Sequence, residues 1–91
     1  MENVSTVIER IRRMELYFDI IRYSVKHNPS SVVNDPLICE ILKVLTDYYE
    51  NGQWMKDFEC DERHELPSDL KRGVLSEDGM YDLLCTIKEL M

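Results

Sequence analysis

Helix breakers are scarce in this chain, and so is everything that strands and disulfide scaffolds depend on. Three glycines and three prolines in 91 residues leave few tight turns, and no alternating apolar run reads as a strand, so the composition points to an all-α protein. No C-x-x-C pair occurs. Cys39, Cys60 and Cys85 are odd in number and far apart, which argues against a disulfide framework or a zinc ribbon. Cys39 and Cys85 fall among apolar helical residues, where a free thiol serves as a small hydrophobe. With no membrane-length apolar run and no leader-like start, a cytoplasmic setting is expected. Only two histidines are present, and no glycine-rich elbow or oxyanion-hole motif accompanies a nucleophile. An enzyme is therefore not expected, and no cofactor is implied.

Positive charge is also unevenly supplied. Residues 1–28 carry five basic and four acidic groups, the rest carry six basic and fourteen acidic, and the whole chain is −7. Such a surface repels nucleic-acid phosphates and anionic membranes, so neither is an expected partner. A third possibility, that the acidic surface imitates nucleic acid, would need rows of carboxylates at phosphate-like spacing.

What is present is helical periodicity. Val7, Ile11, Met14, Phe18, Ile21 and Val25 alternate steps of four and three, which predicts one helix from about residue 3 to residue 26, roughly 36 Å long. Lys26 and His27 suit its negative end, and Asn28-Pro29 stops it. Leu16, Ile20 and Tyr23 form a second apolar stripe on the opposite side. A helix apolar on two sides is buried on two sides, either inside the monomer or against a partner.

Residues 28–34 read as a loop. Asn34 or Asp35, followed by Pro36, starts the next helix, whose wide apolar face runs from Leu37 to Tyr48 and which Gly52 ends. A short helix with Trp54 and Phe58 at i,i+4 then folds back on the core. Leu66-Pro67 breaks that helix, and Ser68-Asp69 is expected to cap a single turn ending at Gly73. Ser76 caps the last helix, with Glu77 and Asp78 at its positive end. Met80, Leu83 or Leu84, Ile87 and Leu90 give that helix its apolar face. The whole chain, 1–91, reads as a single small helical bundle: two long antiparallel helices, a short helical hook and a C-terminal helix.

Four groups of residues could carry chemistry. The acidic run Asp57, Glu59, Asp61, Glu62 and Glu65 resembles a calcium loop only superficially. Counted from Asp57, it lacks glycine at the sixth position and places Ser68 where a bidentate glutamate belongs, so a solvated acidic face is expected. Cys60 and His64 stand at i,i+4 and could share a metal if the helix continues, but no second Cys/His pair completes a site, and no metal is expected. Lys71 and Arg72 stand in an acidic half, where pairing with the 57–65 carboxylates is expected. The alternative is contact with an anion or an acidic peptide, for which Arg72 is the better bidentate donor. Trp54, Tyr48, Tyr49, Phe58 and Tyr81 gather the aromatics around the hook, as corner packing or as a binding patch.

The second half carries a specific wording: Tyr48-Tyr49, Gly52, Trp54, Asp57, Leu66-Pro67, then Asp69 through Asp78 (DLKRGVLSED) and Tyr81-Asp82-Leu83-Leu84. In these residues the sequence resembles the DUF4298 family of small bacterial proteins, a domain of unknown function. Gly79 occupies a position where a better helix former such as alanine is expected. The resemblance implies an all-α bacterial cytoplasmic protein and carries no activity with it.

These features point to a small acidic interaction module that binds another protein or itself. Leu16, Ile20, Tyr23, Trp54, Lys71 and Arg72 are its candidate surface. The alternative is a regulator that binds a small ligand, anion or metal through the 54–73 hook.

Overall fold

A computed structural model describes residues 3–76 and 78–90. Helix α1 (Val4–His27) begins where the Asn3 side chain accepts a hydrogen bond from the Ser5 amide and ends with Lys26 and His27 in its last turn. At 24 residues it measures about 36 Å by helical rise, close to the longest dimension of the molecule, 38 Å. One side of α1 supplies Val7, Ile11, Met14, Phe18 and Ile21 to the core.

Residues 31–34 are not loop. They form a one-turn helix, α2 (Ser31–Asn34), that buries Val32. Four residues show no measurable period, which is why the sequence reads them as irregular. Asp35 then caps α3 (Pro36–Glu50), accepting from the Leu37 amide at 2.9 Å, with Pro36 in the first turn. Gly52, at φ +86°, turns the chain into α4 (Gln53–Glu62). Asp57 of α4 contacts both Arg10, early in α1, and Tyr48, late in α3. The end of α3 therefore lies beside the first half of α1, and the two long helices run antiparallel.

Helix α4 stops at Glu62 in a Schellman arrangement. The His64 amide donates to the Asp61 carbonyl at 3.0 Å and the Glu65 amide donates to the Cys60 carbonyl at 3.3 Å. His64 occupies the left-handed position at φ 59°, where glycine is usual. Because α4 takes up residues 53–62, the hook proper is the segment 63–76 between α4 and α5, with turns and a bend over 68–70. The helical turn expected there lies further on, as a 3₁₀ turn over Gly73–Leu75. Helix α5 (Gly79–Leu90) closes the bundle with Met80, Leu83 and Ile87 inward and Leu90 outward. Ser76 Oγ accepts from the Gly79 amide at 3.0 Å, as the cap reading requires. Glu77, one of the two acidic residues assigned to that helix end, lies outside the described residues.

One continuous core joins α1, α3, α4, the hook and α5. Among the described residues no strand forms, and no helix is long and apolar enough to cross a membrane.

Candidate functional site

Two carboxylates that the sequence offers as surface charges are buried. The first is Glu15, on the flank of the α1 seam. Its Oε2 accepts from the Gly73 amide at 3.0 Å and its Oε1 from the Val74 amide at 2.8 Å. A short 3₁₀ turn leaves its first amides without local acceptors, and here a side chain 58 residues earlier in the chain supplies both. Charge-assisted bonds of this kind contribute about 1.5–3 kcal/mol each. The contact also explains Gly73: a Cβ there would stand 3.0 and 3.2 Å from the two Glu15 oxygens. Sequence reasoning missed Glu15. The available signal was its position, four residues after Ile11 and three before Phe18, which places it on the buried side.

Trp54 holds the same turn from the other direction. Its indole N–H donates to the Val74 carbonyl at 2.7 Å, its ring stacks on Phe58 at 5.0 Å, and Tyr49 meets it edge-on at 5.1 Å. Trp54 is therefore a corner residue inside the fold and forms no part of an outer surface.

The second carboxylate is Asp57, only 1% exposed, which corrects its assignment to a solvated acidic face. Arg10 grips it with two bonds, Nε to Oδ2 at 2.9 Å and Nη2 to Oδ1 at 2.5 Å, and the Tyr48 hydroxyl donates to Oδ2 at 2.6 Å. Burial first, then the bond to Asp57, raises the Tyr48 hydroxyl well above the ordinary tyrosine value and keeps it a donor. Burial likewise pushes the Cys60 thiol up, with Glu65 adding to the effect.

Arg72 pairs with Asp61, as the charge pattern predicts. Its Nη2 also donates to the Pro67 carbonyl and its Nε to the Leu70 carbonyl at 3.1 Å, so the guanidinium locks the hook onto α4. Lys71 is exposed beside it. Because α4 ends at Glu62, His64 leaves the helical register of Cys60, and the i,i+4 pairing required for a shared metal is broken. No cluster of three or more His, Cys, Asp or Glu suited to a metal occurs among the described residues. Cys85, expected among packed apolar residues, is exposed, whereas Cys60 is buried.

The second α1 stripe faces out. Leu16 is 57% exposed and Tyr23 67%, with Ile20 half-buried between them. Tyr23 rests on His27 with ring centres 4.4 Å apart. Leu16 borders a groove of about 320 Å³ whose walls are Arg12 and Asp19 on α1 and Asp69, Leu70 and Lys71 on the hook. The fold thus places Leu16 and Lys71 on one groove, of which neither Trp54 nor Arg72 is a wall. No buried side-chain nitrogen or oxygen among the described residues lacks a partner. The buried polar side chains of the hook are thus satisfied, and exposed apolar side chains lie along the outer side of α1. Neither a curated protein nor a solved structure matches the chain. Residues 37–91, more than half of its length, match the family described as domain of unknown function (DUF4298), and the chain belongs to that family.

Proposed function

We propose that this protein is a small helical interaction module that associates with a second copy of itself through the outer side of α1. The observation that carries the reading is the stripe of Leu16, Ile20 and Tyr23, two of them more than half exposed on a helix of 24 residues. Large apolar side chains ranged along one helix face, with charges beside them, suit helix-on-helix recognition. The segment that matches the family starts at Leu37, so α1 lies outside it while lending it Arg10 and Glu15. In this reading α1 has two jobs: its inner side completes the motif-bearing half, and its outer side meets the partner.

The hook is a weaker candidate for binding an anion or a metal. Arg72 is engaged with Asp61 and two backbone carbonyls, and the groove beside Lys71 is walled by Arg12, Glu15, Asp19 and Asp69. Three carboxylates against Arg12 and Lys71 leave the groove net negative, which disfavours a negatively charged ligand.

Light scattering on the full chain tests the proposal. The wild type should show twice the monomer mass of 10.8 kDa at tens of micromolar protein, and Leu16→Glu with Tyr23→Lys should show the monomer mass with an unchanged helical spectrum. A wild type that stays monomeric throughout, or a double variant with unchanged mass, would discard it.

A further inference from the structure

The charges beside Leu16 are arranged so that α1 complements a reversed copy of itself. At 100° per residue, Arg12 lies about 40° and Asp19 about 60° to the same side of Leu16, with Tyr23 about 20° to that side. All three groove-lining residues of α1's outer face, Arg12, Leu16 and Asp19, border one depression. Arg12 and Asp19 are seven residues apart, and the midpoint between them falls between residues 15 and 16.

Two antiparallel helices related by a twofold axis present equal heights where residue numbers sum to a constant, and they match edges on the same angular side. A twofold at that midpoint sets Arg12 of each copy against Asp19 of the other. The same operation brings the two Leu16 side chains together at the centre. We infer that the self-association proposed above, on which this rests, is an isologous antiparallel pairing of two α1 helices, centred on Leu16 and fixed in register by two Arg12–Asp19 contacts between copies. Asp19 is half-exposed and paired within its own chain only with Arg22, at 3.6 Å, so its carboxylate keeps room for a second cation. The symmetry requires a self-complementary patch, and this one is. Opposite charges at matched heights set register and orientation more than they add affinity.

Charge exchange separates this geometry from self-association in general. The dissociation constant of the full chain would be measured by sedimentation equilibrium at low salt, with far-UV spectra confirming that each variant is folded. Arg12→Glu and Asp19→Lys should each weaken the dimer about tenfold, since each places like charges together at both contacts. The double variant Arg12→Glu/Asp19→Lys should return to within about twofold of wild type, roughly a third of the tenfold step on a free-energy scale. In a Cys39→Ser/Cys85→Ser background, Leu16→Cys treated with oxidised glutathione should form a disulfide-linked dimer, the glutathione taking up the two electrons, because a twofold at this point brings the two sulfurs together.

If the wild type dimerises, the single variants keep its affinity and Leu16→Cys stays uncrosslinked, the register is overturned while self-association stands. Additive weakening in the double variant overturns the Arg12–Asp19 contact. A monomeric wild type overturns both this geometry and the reading beneath it.

Discussion

The inner side of α1 carries the part-buried Arg10 and the buried Glu15, whereas the outer side carries Leu16 and Tyr23 in the open. A helix that follows the hydrophobic rule alone would do the reverse. The inner charges are tolerable because each is matched: Arg10 by the Asp57 carboxylate, Glu15 by two backbone amides. They do what apolar contacts cannot, since a directional bond selects one placement of α4 and one of the hook. The exposed apolar residues do the opposite: they specify little within the monomer and, on the proposal above, are the face that meets a second copy. The contrast separates residues that define this fold from residues open to a partner, even though both sets sit on one helix.

The comparison breaks first at Asp57. Asp57→Ala should lower stability by about 3–5 kcal/mol, because it takes the carboxylate from the part-buried Arg10 guanidinium and leaves the buried Tyr48 hydroxyl without its acceptor. Urea denaturation would measure it, and a loss below about 1 kcal/mol, the size of an exposed pair, would show that water reaches the site. Next is Glu15→Ala, expected to cost about 2–3 kcal/mol through two amides left without an acceptor. Hydrogen exchange should show the Gly73 and Val74 amides losing protection before those of the α1 core.

Alkaline titration sharpens the same point. The folded-state value of Tyr48 is raised, so the folded protein keeps a proton that the unfolded chain gives up. That contribution is complete below the unfolded tyrosine value of about 10 and is lost as pH rises above it. Tyr48→Phe should flatten the decline in melting temperature between about pH 9.5 and 11 relative to wild type. An identical decline would remove Tyr48 from the account.

Much of the fold was legible in local sequence. The seam from Val7 to Ile21, the Asp35-Pro36 start and the Gly52 stop are near-neighbour signals, and the helices fall where those signals put them. Arg72 with Asp61 was legible too, since a cation in an acidic half has few other partners nearby. The hook's turn was displaced from 68–72 to 73–75 because the acceptor for its amides comes from Glu15, and no local pattern encodes a cap delivered from another helix. Asp57 reads like its acidic neighbours until Arg10 is placed 47 residues away.

Gly79 illustrates the same limit. Helix propensity favours alanine there by about 0.8–1 kcal/mol. The added Cβ, however, would stand 2.8 Å from Ser76 Oγ, 3.2 Å from the Gly73 carbonyl oxygen and 3.3 Å from the Phe18 ring. Displacing Ser76 forfeits its cap, worth about 1 kcal/mol, and the backbone oxygen cannot move aside freely. Gly79→Ala should therefore destabilise by up to about 1 kcal/mol in thermal melts, and a gain would restore the propensity reading. The smallest effect is expected on the outer side. Leu16→Ser should change the stability of the dilute protein by no more than about 0.5 kcal/mol. A larger loss would mean that Leu16 serves the monomer's own core.

The bond between Trp54 and the Val74 carbonyl gives the protein a built-in optical signal. This is the chain's only tryptophan, and it sits where the hook docks, buried and stacked on Phe58. The hook contributes only a 3₁₀ turn to the helical content, so its release would scarcely alter the far-ultraviolet spectrum while shifting indole emission to the red. Undocking of the hook and melting of the bundle can thus be followed as two separate signals from one unlabelled sample.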